Sequence, residues 1–530
     1  MIRLAFVSAL AVAPMPAPSP TPSHQKTSES SSLPKAEKHT PVGTQQHGTP
    51  QQHGGMQPQG AGSTPVESME DSVTAGNHLQ VAEDHPPPGP PQFLSSRMYD
   101  GGFNSIDKGV LMNFTPSGGR YEVWEVQKNV AMDHALILSL GPNGAEDWRV
   151  KFQWAANESW WEPLGSTLDA AGNFYFMYIT NKSGSSYKWR IVKVSKTGTI
   201  AWQKTLYTTT WGKEPTFMAA HPDGGVVVLS SCNGQVRDLY TARISGGGDL
   251  LWEKKYDVDG LNNFPNALAV AADGGIYVVG DDDMGMHVRK YGADGSHRWT
   301  SNFLRKNQYE RPKGRHAFLA PNGDLVVAGS ARGGNDPDWL FVNRYAAVGG
   351  NLLKSFVSPL AAGEGNLSDG GLRGVYALRG GDSAIYFAWD DDDKLDSQWW
   401  LRRVTFPLGS GGAEPQVSWT RNFTGDKAMN VERLVWFPNG AIGVLGRGKR
   451  MIGNDYRSET RVRSVSMTGT DFGQAKYSSP GDFNNEPVAS GIGREAILHV
   501  LGWQYWHGDG WNDENVMRLR FQLKYTPPPN

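Results

Sequence analysis

Carboxylates and indoles are concentrated together in short polar stretches of this chain. Asp281-Asp282-Asp283, Asp336 and Asp338, Asp390 to Asp393 with Asp396, Asp455, Asp509 and Asp513 all fall in such stretches. Trp160, Trp161, Trp211, Trp399, Trp400, Trp503, Trp506 and Trp511 are interleaved with them. Grouped carboxylates repel one another unless a cation or basic groups neutralise them. Hard cations such as Ca2+ take several oxygen ligands from flexible loops. Asp281, Asp282, Asp283, Asp336, Asp390, Asp391, Asp392, Asp393, Asp509 and Asp513 are therefore the candidate metal ligands. DDDMGM and WDDDDK lack the ordered spacing of an EF-hand loop, so loose Ca2+ binding is weighed against a merely solvated acidic rim. Flat aromatic rings beside carboxylates suit sugars, whose C–H faces stack on indole while their hydroxyls bond at the edge. The candidate ligand-binding residues are Trp160, Trp161, Trp211, Trp399, Trp400, Trp506 and Trp511, with Arg332. About half of these tryptophans are expected to serve packing instead.

Other chemistries find no motif. There is no G-x-S-x-G, H-E-x-x-H, Walker loop or C-x-x-C. Cys232 is the only cysteine, which excludes an internal disulfide and a cysteine-built zinc site; it is read as a small buried hydrophobe. A net charge of −2 gives no nucleic-acid footprint. A glycosidase needs two carboxylates at a set separation. Glu162 with one of Asp390 to Asp393 could supply the pair, but sequence does not give the distance.

The elements that must position these residues recur. Ala267–Phe303 reads ALAVAADGGIYVVG, DDDMGM, HVRKYGADGSHRWTSNF. Similar strings stand upstream at FMAAHPDGGVVVLS and downstream at HAFLAPNGDLVVAGS. Each unit holds four short strands, a to d, with Gly-containing a–b and c–d turns. A unit of this size cannot bury its own face and must stack on its neighbours. The a–b turns are PSGG (116–119), AAGN (170–173), PDGG (222–225), ADGG (272–275), PNGD (321–324), RGGD (379–382), FPNG (437–440) and GIGR (491–494). Asn-Gly and Asp-Gly pairs suit two-residue hairpins. The expectation is an all-β, eight-bladed β-propeller spanning 93–527, with seven blades as the alternative.

The last unit lacks a d strand, and SSRMYDGGFNS (95–105) resembles one. An N-terminal strand is thus expected to complete the last blade and remove an exposed sheet edge. Trp148, Trp202, Trp252, Trp299 and Trp419, with Leu353 and Phe472 at matching places, follow the c–d turn and are assigned to packing between blades. Lys193, Arg243, Lys290, Arg344 and Arg403 close strand c and are assigned to structural anchoring. Short a–b and c–d turns trim one face, so recognition is expected on the face of the variable b–c and d–a loops.

All nineteen tryptophans lie beyond residue 92. Residues 1–13 read as a short signal segment, too short to span a bilayer. Residues 14–92, rich in Pro, Ser, Gln and His, read as a disordered low-complexity linker, whose histidines are assigned no metal role.

The string D-G-G-x-Y-x-x-G…V-x-K-Y-x-x-D-G-x-x-x-W at Asp273–Trp299 resembles the secreted bacterial β-propeller (SBBP-like) repeat. A weaker likeness runs to delta-60 repeats. VSKTGTIAW and YGADGSHRW are also similar to the Trp-docking repeat of pyrroloquinoline-quinone-type propellers, which need a vicinal cysteine pair this chain lacks. The resemblance implies an exported, periplasmic or cell-surface propeller and transfers no catalytic residue. The leading functional expectation is a non-enzymatic binding module, monomeric unless a partner assembles it. It would hold a glycan or protein partner on its long-loop face, with Ca2+ as a candidate cofactor. The alternatives are a polysaccharide hydrolase or lyase working through the Asp-rich face, and a structural cell-surface or assembly protein.

Overall fold

The computed structural model describes residues 88–525 apart from short segments at 100–104, 129–130, 154–157, 183–185, 210–216, 233–236, 258–260, 283–284, 305–310, 333–337, 362–374, 380–382, 391–396, 409–413, 438–439, 453–454, 480–482, 493–496 and 507–513. The expected signal segment and nearly all of the expected linker lie outside the described residues. Every described element is a strand, and none of the described residues forms a helix able to cross a membrane.

The strands form eight antiparallel blades of four. Blades 1 to 5 occupy 105–152, 158–209, 217–256, 264–304 and 311–359. Blades 6 and 7 are joined by one strand, Gln416–Trp436. Its first part is strand d of blade 6 and its second part strand a of blade 7. Blade 8 takes strands a to c from 483–525 and strand d from Pro88–Tyr99, which pairs antiparallel with Glu514–Tyr525. The N-terminal closure of an eight-bladed ring is therefore present. Strand a of each blade lies against strand a of the next.

Burial follows the stacking. The apolar residues form eight clusters, each shared by two adjacent blades: Tyr175 and Met177 meet Val226 and Tyr240 between blades 2 and 3, and Trp124 and Leu136 meet Leu501 and Val516 between blades 1 and 8. Cys232 is one of the buried residues between blades 2 and 3.

Four details differ from the sequence expectation. The closing strand begins at Pro88, inside the stretch read as linker; as the outermost strand of its blade it needs no proline N–H for a further ladder. In blades 1, 2, 4 and 5 the a–b turns are three-residue loops in which one glycine takes positive φ, as at Gly118 (φ +85°) and Gly323 (φ +82°), while in blade 3 both Gly224 and Gly225 do. The last a–b turn lies at 493–496, outside the described residues, and 491–492 belong to a strand. Blade 6 has no tight c–d turn, since residues 406–415 separate its last two strands.

Candidate functional site

The short-turn face is built by one repeated device. In all eight blades the c–d pairing shifts register by one residue at the matching level of the blade, as between Arg243 and Ile244. Such a bulge re-aims the following side chain. At that position stand Trp148, Trp202, Trp252, Trp299 and Trp419 in blades 1 to 4 and 6, and Lys354, Gly473 and Ser95 in blades 5, 7 and 8. Leu353 and Phe472 occupy the bulge itself, one residue short of the position expected for them, and Leu353 is exposed.

Each of these indoles docks on the next blade. The Nε1–H groups of Trp148, Trp202, Trp252, Trp299 and Trp419 donate to the carbonyls of Lys196 (2.9 Å), Gly246 (3.0 Å), Ala293 (2.9 Å), Ala347 (3.2 Å) and Met467 (2.9 Å). The ring covers a glycine that closes the same turn: at Gly295 (φ +76°) a Cβ would stand 2.7 Å from Trp252 Cδ2. The basic residue of strand c adds a second bond to the same carbonyl in three blades, from Lys193 Nζ (2.9 Å), Arg243 Nη1 (2.6 Å) and Lys290 Nζ (3.0 Å). Arg344 instead pairs with Asp324, at 2.6 Å, and Arg403 with Tyr386, Thr405 and Ser418. The docking indole is missing in blade 5, whose neighbour lacks a tight turn, and in blade 7, whose neighbour has strands c and d that no turn joins.

Blade 8 faces an intact turn in blade 1, yet Ser95 stands where five other blades have Trp. Nothing among the described residues lies within 4 Å of a Cβ built on Gly144 of that turn. A cavity of about 40 Å3 opens here, lined by Met112, Arg120, Glu122, Asn143, Gly144, His499 and Arg518 to Arg520. Glu122 is buried and accepts hydrogen bonds from Arg120 Nε (2.8 Å), Trp124 Nε1 (2.9 Å) and Arg518 Nε (2.7 Å). Arg518 also lies 4.3 Å from the centre of the Trp124 ring. His499 is pushed down to about 3, first by burial and then by Arg120, Arg520 and Arg518, so it is neutral. The sequence reading singled out none of these residues. The available signal was Arg520, the basic residue of its strand c, standing opposite a serine.

On the opposite face, the described acidic residues act as ties. Asp281 is buried and accepts from Asn266, and burial chiefly pushes its carboxyl upward. Asp390 is buried and accepts the Val431 N–H at 2.7 Å, linking blades 6 and 7. Asp282 lies 3.8 Å from His287 Nδ1, and Asp338 is buried. Trp399 is in the core between blades 6 and 7, and Trp400 stacks on buried Trp389 at 6.1 Å and 9°. Trp160 and Trp161 pair with Asn181 and Thr180, Trp506 with Phe483, Trp503 with Glu486 and Arg332 with Arg311. Asp283, Asp336, Asp391, Asp392, Asp393, Asp509, Asp513, Trp211 and Trp511 lie outside the described residues. Among the described residues no three His, Cys, Asp or Glu side chains converge as a metal site.

The fold defines the chain as an eight-bladed β-propeller. No protein-family model matches it, and no curated protein sequence is similar to it. Among solved structures, it is similar to Sqt1 of Chaetomium thermophilum bound to the N-terminus of ribosomal protein L10. The identity is 11%, the coverage 81% of this chain and 98% of that one, and the TM-score 0.46. A Bacteroides caccae protein of unknown function gives 14%, 57%, 93% and 0.31 for the same measures. A quinohemoprotein alcohol dehydrogenase of Pseudomonas putida gives 8%, 80%, 77% and 0.33.

Proposed function

We propose that this propeller is an exported, non-catalytic binding module that holds a glycan or protein partner on its b–c and d–a face, and that its repeats are of the secreted bacterial kind. The observation that supports this most is the contrast between faces. One face is fastened down by indole and lysine or arginine bonds to the turn carbonyls of the next blade. The other carries the variable connections, including 210–216, 362–374 and 507–513, which contain Trp211, Trp511, Asp509 and Asp513. Loops set on a rigid scaffold are where recognition is usually placed. With Asp281 and Asp390 engaged in structural bonds, a Ca2+ contribution rests on Asp283, Asp336, Asp391 to Asp393, Asp509 and Asp513.

A glycan array, with a pull-down from the surface fraction of the source cells, tests the reading. Retention without turnover, weakened by Trp211→Ala or Trp511→Ala, supports it. Release of reducing sugar, abolished by Asp391→Asn, would replace it with the hydrolase or lyase alternative. No retention of any glycan or protein would leave a structural assembly role.

A further inference from the structure

Among the described residues that line the cavity between blades 8 and 1, three guanidinium groups stand against one carboxylate. Arg120, Arg518 and Arg520 line the cavity with Glu122, and neutral His499 adds no compensating charge. The next carboxylate outward, Glu146, is already held by Arg149 at 2.5 Å. Arg120 is only 5% exposed, and its Nη1 has no hydrogen-bond partner among the described residues; the same is true of His499 Nδ1, on a residue equally buried. Arg520 Nε is likewise buried and unpartnered there. A buried donor without an acceptor costs ~1–3 kcal/mol, more when charged, so native proteins rarely leave several together. The cavity lies where no described side chain covers Gly144. Its 40 Å3 compares with the ~10–15 Å3 that holds one water, which leaves room for a few heavy atoms.

We propose that this seam is a binding site for a single oxyanion group, a carboxylate or a sulfate, seated between Arg120, Arg520 and His499 over the uncovered Gly144 turn. Guanidinium forks match the geometry of such groups and form short, charge-assisted bonds with them. The surplus positive charge sets the sign of the ligand, and the cavity volume limits it to one group, either of a free small anion or projecting from an acidic sugar. Glu122 acts as the positioning residue, fixing Arg120 and Arg518 from below. The site lies on the short-turn face, so it is independent of the function proposed above.

The test is thermal melting and calorimetric titration of the full chain with sulfate and with glucuronate, each against chloride at matched ionic strength, with neutral glucose as a further control. Saturable, concentration-dependent stabilisation by either anion and none by glucose is expected, since only a ligand of the folded state raises the melting temperature. Sulfate alone or glucuronate alone also supports the site and names the group it takes. Arg520→Gln should weaken binding tenfold or more. Ser95→Trp, which restores the residue found at this position in five other blades, should abolish binding while leaving the melting temperature equal or higher. A response no larger than that to chloride overturns the proposal, as does binding that survives both substitutions. If either variant fails to fold, the other decides.

Discussion

Trp252 and Arg243 donate to the same oxygen, the carbonyl of Ala293 in the next blade, at 2.9 and 2.6 Å. One lone-pair-bearing atom thus receives a neutral ring donor and a charged fork, and two blades are tied at one point. A double-mutant cycle should expose the sharing. Trp252→Phe and Arg243→Gln are each expected to cost about 1 kcal/mol. The double variant should cost more than their sum by ~0.5–1 kcal/mol, because only then does the carbonyl lose both donors. Additive values from chemical denaturation would show that the bonds do not share their effect.

Gly295 should tolerate no side chain. Its φ of +76° and the 2.7 Å approach to Trp252 act together, so Gly295→Ala is expected to destabilise by on the order of 2 kcal/mol. Gly144→Ala, with similar φ (+80°) but open space above it, should cost clearly less. Equal melting temperatures for the two variants would remove the indole contact from the explanation.

Removing the N-terminal strand should open the ring. A chain beginning at Pro88 is expected to melt like the full protein, whereas one beginning at Ser105 leaves the Glu514–Tyr525 strand as a raw edge and should aggregate. Equal solubility and stability of the two shortened chains would rule out closure by this strand.

His287 gives the fold an acid-sensitive point. Burial first, and Arg289 second, push it down to about 4, with Asp282 3.8 Å away and the Tyr256 ring alongside. Below pH 6.5 the unfolded histidine binds a proton that the folded one refuses, so stability falls as pH drops from about 6.5 towards 4. The loss should approach ~2 kcal/mol by pH 5, and His287→Gln should flatten that part of the profile. An unchanged difference between pH 7 and pH 5 in the variant would sink the assignment.

Cys232 should be inert while the protein is folded. It is 2% exposed and its thiol is pushed up to about 11, mainly by burial. A thiol-specific reagent at neutral pH is expected to label it only after denaturation; prompt labelling of the native chain would contradict the packing between blades 2 and 3.

The repeated parts of this fold were legible in the sequence because they recur. Glycine turns, strand-c cations and post-turn tryptophans recur at fixed positions, the tryptophans in five blades, and the resemblance of the segment 95–105 to a d strand located the closing strand. Its start at Pro88 was hidden because proline reads as a breaker, while the ladder position that accepts it is a matter of topology. Asp281 and Asp390 look like open carboxylates in the sequence, and their partners Asn266 and Val431 become visible only once strands are in register. The seam cavity depends on what Ser95 lacks and on Arg518 reaching Glu122 across 396 residues. Neither has a local pattern.

The pairing of Pro88–Tyr99 with Glu514–Tyr525 also orders events in time. The strand that completes blade 8 leaves the ribosome before the other seven blades, and its partner leaves after them. At ~5–20 residues per second the early strand waits on the order of tens of seconds before it has anything to pair with. Seven blades can stack during that interval, but the ring cannot close until Glu514–Tyr525 has emerged. The interface between blades 8 and 1 is therefore the last part of the molecule to be assembled.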